Sequence, residues 1–177
     1  ITCATIAQSF MLVVTMPLGG ITSGTQAVLA YNFGAGKTDR VKSAQKYIFI
    51  LAAAYTALLF VLARTIGVLF VRLFTADPIV AAEALRAIRI FTLAIIPLAF
   101  QYEIVDGFTG LGQVQVSLPL SFFRKCAYFV SLFLLPAMFG AEAAFYAEPV
   151  SDILGPIASA IVYLTSMKKV LAKAGAN

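Results

Sequence analysis

Four carboxylates stand in otherwise apolar surroundings. Glu103 and Asp106 are spaced i,i+3, and Glu148 and Asp152 i,i+4. On a helix each pair shares one side, the first with Gly107 and Gly110, the second with Gly155 and Ser159. Ionisable groups inside a membrane are costly, which makes them functional candidates. Paired carboxylates in a low dielectric can take up and release a proton or hold a small cation. A proton- or sodium-coupled carrier needs that chemistry. Arg124 is the available counter-charge. A structural role remains open for each pair. Glu103 and Asp106 could be bonded to neighbours or satisfied by Arg124, and Glu148, directly before Pro149, could cap a helix at the outer interface. Asp152 lies one turn deeper.

Gln8, Gln26, Gln101, Tyr102 and Tyr128 add hydrogen-bonding groups to apolar stretches. The 15 phenylalanines and 7 tyrosines supply aromatic surface. Such a mixture suits a cavity for bulky amphipathic cations, held by stacking and cation–π attraction. Most of the aromatics are expected to pack or to face lipid. With no histidine, an imidazole relay or ligand is excluded. Cys3 and Cys126 are isolated, which gives no disulfide framework and no zinc site. They read as small buried hydrophobes. No phosphate loop, GxSxG or HExxH occurs, so neither a resident metal nor an organic cofactor is expected. Glu148-x-x-x-Asp152 has the spacing of a magnesium–diphosphate site in an intramembrane prenyl transferase, but no second acidic motif accompanies it. The expectation is a non-enzyme.

The elements that must position these groups are membrane helices. Apolar residues make up 61% of the 177, charged ones 12%. Mean hydropathy is +0.94, and soluble domains carry roughly 25% charged residues. About 20 apolar residues cross a bilayer core of about 30 Å. Five stretches qualify, at about 6–31, 47–70, 88–111, 118–139 and 145–167. The predicted fold is an all-α integral membrane bundle. Pro17 should interrupt the first span, and Gly20 and Gly24 form a GxxxG packing pair. A polar joint at 31–42 ends that span, with Thr38 or Asp39 capping the next helix. Asp77-Pro78 starts an interfacial helical turn that leads into the third span, with Pro97 near its middle. Gly110 to Gln113 close it. Pro136 and Gly140 end the fourth span, Pro149 and Pro156 fall in the fifth, and a basic tail at 168–177 should fray.

The net charge of +5 sits at the ends of apolar runs, which points to a membrane surface rather than to nucleic acid. Lys37, Arg40, Lys42 and Lys46 place the first joint inside. Four further crossings return the chain to that side, where Lys168, Lys169 and Lys173 lie. The C-terminus is therefore predicted cytoplasmic, in the inner cell membrane. Arg64, Arg72, Arg86 and Arg89 fall on the opposite face, partly offset by Asp77 and Glu83, against the usual charge rule. The chain opens at Ile1 inside an apolar stretch without a basic leader. That predicts a piece of a longer polypeptide, with at least one preceding helix.

Several motifs resemble the multidrug and toxic compound extrusion (MATE) family. Met16-Pro17-Leu18-Gly19-Gly20-Ile21-Thr22-Ser23-Gly24-Thr25-Gln26, running into Tyr31-Asn32-Phe33-Gly34-Ala35-Gly36 and Arg40-Val41, is similar to a stretch of it. Phe108-Thr109-Gly110-Leu111-Gly112-Gln113 resembles the end of the family's tenth helix. Ser121-Phe122-Phe123-Arg124 resembles the start of its eleventh, and Glu148-Pro149-Val150-Ser151-Asp152 the start of its twelfth. The resemblance implies helices eight to twelve of a twelve-helix antiporter, most of one six-helix lobe. It implies exchange of drugs or toxic organic cations for sodium or protons by alternating access, in partnership with a lobe that lies N-terminal in the same polypeptide. Asp106 and Glu103 are then the cation-coupling candidates, with Asp152 and Glu148 secondary. Gln26, Gln101, Tyr102 and Arg124 are the cavity candidates. A lipid-linked-precursor flippase of the same superfamily is the alternative, favoured by a strongly basic cavity.

Overall fold

The computed structural model describes residues 2–174. Eight α-helices follow one another: α1 Thr2–Gly24, α2 Gln26–Gly34, α3 Thr38–Thr65, α4 Gly67–Arg72, α5 Pro78–Phe91, α6 Ile95–Gly110, α7 Val114–Phe139 and α8 Ala147–Ala174. A 3-10 turn at Thr92–Ala94 joins α5 to α6, and a 3-10 helix at Ala141–Tyr146 joins α7 to α8. Among the described residues there is no strand. Four helical stretches are long and apolar enough to cross a membrane alone: Thr2–Gly34, Thr38–Thr65, Val114–Phe139 and Ala141–Ala172. The expected third span falls instead on two helices of 14 and 16 residues, neither of which reaches membrane length.

α1 does not break at Pro17; it runs through it to Gly24. Proline frees the carbonyl four residues earlier, here that of Val13. The Tyr55 hydroxyl, from α3, donates to this oxygen at 2.7 Å. A neighbouring helix thus supplies the bond that proline removes. The break comes at Thr25. The hydroxyls of Ser23 and Thr25 turn back onto carbonyls three or four residues earlier, a pattern that bends helices. α2 then closes with Gly36 at φ 67°, where the Lys37 amide donates to the Asn32 carbonyl.

α3 begins at Thr38, earlier than the apolar pattern implied, because Lys42, Gln45 and Lys46 are already helical. Lys37 occupies the cap position, so neither Thr38 nor Asp39 does. Asp77 does cap α5, accepting from the Ile79 amide at 2.8 Å. α5 is more than an interfacial turn. Its Ala84, Ala87, Ile88 and Phe91 are buried in one cluster with Ile6, Phe10 and Val14 of α1 and Leu59 of α3. Pro97 lies in the first turn of α6 and does not bend a span. Pro136 does not end α7, which continues to Phe139 and stops at Gly140 with φ 88°. The basic tail is helical to Ala174; its last residues, 175–177, and the side chain of Lys173 lie outside the described residues. A Cβ added at Gly20 or Gly24 would meet nothing within 4 Å beyond its own helix, so no close helix approach depends on these glycines among the described residues.

α6 is the hub of the bundle, in contact with α1, α2, α3, α7 and α8. A second cluster surrounds its C-terminal end: Ile104 and Phe108 pack with Leu29, Ile48, Leu120 and Met167. α7 by contrast leaves Phe122, Phe129, Val130, Phe133 and Leu134 exposed, as lipid contact requires.

Candidate functional site: two carboxylates on α6 and the cleft beside it

Asp106 joins α6 to the α1–α2 break. Its Oδ2 accepts from the buried Thr22 hydroxyl and its Oδ1 from Gln26 Nε2 at 2.9 Å. Thr22 and Gln26 flank Thr25, so one carboxylate holds both sides of the bend. Close approach here depends on Gly110, one turn further along α6. A Cβ there would lie 3.0 Å from the Gln26 carbonyl oxygen. Asp106 is half-buried, and both of its partners are neutral.

Asp106 also borders a cleft of about 300 Å³ between α6 and α7, together with Gln101, Tyr102, Ser121, Arg124 and Lys125. Three of the four residues expected in a cavity, Gln101, Tyr102 and Arg124, line it. The fourth, Gln26, reaches it through Asp106. Gln101 is buried and packs against Gly155 of α8, where a Cβ would fall 2.3 Å from its Oε1.

Glu103 faces other neighbours. It is fully buried, and neither carboxylate oxygen has a hydrogen-bond partner among the described residues. A Cβ added at Gly107 would lie 3.7 Å from Glu103 Oε1 and 2.9 Å from Gln45 Nε2, so both side chains converge there. Gln45 Nε2 is also without a partner, while Gln45 Oε1 accepts from the Tyr163 hydroxyl at 3.3 Å. Glu103 therefore sits in a closed polar slot between α6, α3 and α8. Such a buried carboxyl calls for a proton or a small cation as partner.

Arg124 does not serve the α6 acids as their counter-charge. It pairs with Asp152 of α8 at 3.1 Å, and Asp152 is fully buried. The guanidinium also stands 6.0 Å from the centre of the Tyr102 ring. Glu148 lies in the first turn of α8 without an ion pair among the described residues. Asp152 gives Oδ1 to Arg124, while its buried Oδ2 has no hydrogen-bond partner among the described residues. Among the described residues no three acidic or thiol side chains gather as a metal cluster would require.

Sequence reasoning missed Thr22, Gln45, Lys125 and Tyr163. Thr22 is one hydroxyl in a Ser/Thr-containing apolar stretch, and Gln45 is masked by its lysine neighbours. Tyr163 reads as one aromatic among many. The only available signal was the i,i+4 continuation from Ser159 to Tyr163 on α8.

The family model described as MatE matches residues 1–135, most of the chain. The chain belongs to the MatE family. No curated protein matches it. Among solved structures it is similar to the Vibrio cholerae MATE transporter VcmN in the bent form, at 17% identity and a TM-score of 0.82. That match covers 97% of this chain and 39% of the other. A multidrug resistance MATE family transporter of the MOP superfamily, in an inward-facing conformation, matches at 16% identity and a TM-score of 0.82. It covers 94% of this chain and again 39% of the other. At these identities the structures show the fold, and the chain spans about two fifths of their length. This is a membrane transporter family, and the apolar helices place this MatE chain in a bilayer.

Proposed function

We propose that this chain forms part of a cation-coupled efflux antiporter, exporting amphipathic, often cationic compounds by alternating access in exchange for protons or sodium. The observation that carries the reading is Asp106. A half-buried carboxylate, held only by the neutral donors Thr22 and Gln26, ties a helix break to the wall of a cleft. A proton or sodium ion arriving at Asp106 competes with those two donors, so ion binding is coupled to the α1–α2 bend. Glu103 is the second coupling group, in its closed slot. Tyr102 and Gln101 offer an aromatic face and an amide to the organic substrate. Asp152 and Arg124 hold α7 against α8, and Glu148 remains a secondary acid at the outer end.

The remainder of the transporter, N-terminal in the same polypeptide, supplies the facing wall of the cavity. The protein works in the inner cell membrane with its C-terminus in the cytoplasm. The test uses the full-length protein: Asp106→Asn loses proton- or sodium-driven efflux of a cationic dye while reaching the membrane in normal amount. Efflux at the wild-type rate removes Asp106 from the mechanism.

Lys125 and Arg124 on the α7 wall give the flippase reading some footing. The neutralisation of Arg124 by Asp152 and the presence of Asp106 leave the cleft far from strongly basic. Reconstituted protein that flips a lipid diphosphate but does not move cationic dye would decide for that alternative.

A further inference from the structure

Three arginines converge on the membrane face where the charge pattern departs from the usual rule. Arg64 lies in the last turn of α3, and Arg86 and Arg89 lie on α5. All three border one groove of about 580 Å³, walled by Leu85, Ile90, Leu93 and Tyr146. Carboxylates do not balance them. Glu142 reaches Arg86 at 3.5 Å in a solvent-exposed pair. Glu83 is turned to Cys3 instead, whose thiol donates to it at 3.4 Å. Arg64 directs its guanidinium to uncharged oxygens: the Phe60 carbonyl at 3.2 Å, the Thr92 hydroxyl at 3.2 Å and the Arg89 carbonyl at 3.5 Å. Neither Arg64 nor Arg89 has an acidic partner among the described residues.

The geometry is amphipathic along the chain. Arg86, Arg89, Ile90 and Leu93 follow one another at helical spacing, so one stripe passes from charge to apolar surface. Leu93 is 51% exposed. The charged end lies level with the end of α3 and with the 3-10 helix that turns α7 into α8, since Glu142 of that turn meets Arg86. Reversals between membrane-spanning helices lie near the bilayer surface, since irregular backbone is not tolerated facing lipid. Guanidinium groups match phosphate oxygens in fork geometry.

We propose that this groove binds an anionic phospholipid, its phosphate between Arg64, Arg86 and Arg89 and an acyl chain along Ile90 and Leu93. An attached lipid also fills the gap beside the α5–α6 turn, where Arg64 already holds the Thr92 hydroxyl and the Arg89 carbonyl. The site is separate from the acids of α6, so its test does not depend on transport.

The test is native mass spectrometry of the full-length transporter, delipidated in detergent and offered phosphatidylglycerol or phosphatidylcholine with identical chains. Phosphatidylglycerol should be retained in preference. Arg86→Gln/Arg89→Gln should weaken its retention by about fivefold for each arginine, the equivalent of ~1 kcal/mol per basic residue near a charged lipid. Phosphatidylcholine retention should not change. Arg64 is kept because it also ties the α5–α6 turn. Arg72→Gln, on the same face but outside the groove, should have no effect. Equal retention of the two lipids, an unchanged double variant, or an equal loss in Arg72→Gln overturns the proposal. Displacement of the lipid by an equal concentration of inorganic phosphate overturns it too, by assigning the groove to a free anion.

Discussion

Gly110→Ala tests whether backbone contact sets the joint that Asp106 holds. A Cβ at Gly110 would meet the Gln26 carbonyl oxygen at 3.0 Å, its Cα at 3.2 Å and its Cβ at 3.3 Å. Non-bonded carbon contacts are comfortable from about 3.5 Å. The obstructing atoms are backbone or lie next to it, so no side-chain rotation clears them. α6 must back away from α2 by a few tenths of an ångström. Asp106 sits one turn earlier on the same face, and its bond from Gln26 starts at 2.9 Å. That shift carries it to the edge of the useful range, about 3.2 Å. Overpacking of this kind costs about 1–3 kcal/mol. The control is Gly34→Ala, also the last residue of its helix, with nothing within 4 Å of the added methyl. The assay is sodium dodecyl sulfate titration of the full-length protein in mixed micelles, followed by circular dichroism. Gly110→Ala should fall below Gly34→Ala by about 1–3 kcal/mol, with cationic-dye efflux reduced alongside. Equal stability in the two variants would refute the argument, because it would mean that the close approach at Gly110 is not felt.

The remaining expectations concern other contacts. Arg124→Met should cost about 3–5 kcal/mol because it strands the buried Asp152; Arg124→Met/Asp152→Leu should recover most of that in the same titration. Tyr55→Phe should destabilise the fold by about 1–3 kcal/mol, since it leaves the Val13 carbonyl freed by Pro17 without a donor, and a stability equal to wild type would show that the oxygen needs none. Asp77→Ala should cost about 0.5–2 kcal/mol as the loss of a cap, with dye efflux unchanged. Glu103→Gln should preserve the stability of the full-length protein and abolish the dependence of efflux on the sodium or proton gradient; retained gradient dependence would confine Glu103 to a structural role.

The bundle was legible because lipid imposes a simple rule. A bilayer-length apolar run must be helical, and five such runs leave little choice of fold. The breaks were harder to read, for a reason that Pro17 and Thr25 show side by side. Proline is a local signal, yet its effect was cancelled by the Tyr55 hydroxyl, which comes from another helix. The bend at Thr25 coincides with the hydroxyls of Ser23 and Thr25 returning to their own helix's carbonyls, and serine or threonine in an apolar helix does this without any distinctive spacing. The third crossing failed the length rule because the 3-10 turn at Thr92–Ala94 divides it, and the preceding helix, α5, carries Glu83, Arg86 and Arg89 on exposed positions while burying Ala84, Ala87, Ile88 and Phe91. Averaging over a window hides such a helix, whereas a reading at period 3.6 recovers it.

The acids of α6 show where helical periodicity runs out. Three residues of separation rotate two side chains by about 60° relative to one another, close enough to count as one face. In a bundle where α6 touches five other helices, 60° is also enough to change neighbours. Asp106 turns to Thr22, Gln26 and the cleft, and Glu103 to the slot of Gln45 and Tyr163. Arg124 is nearer in sequence to both α6 acids than to Asp152, yet it pairs with Asp152 across the α7–α8 contact. A spacing rule can therefore nominate carboxylates but cannot pair them. The two α6 acids differ in their surroundings: one shares its charge with donors on both sides of the α1–α2 bend, and the other has no bonded partner among the described residues. If both bind the coupling ion, Asp106 is the one whose occupancy the α1–α2 bend can register, since only Asp106 is bonded to residues on both sides of it.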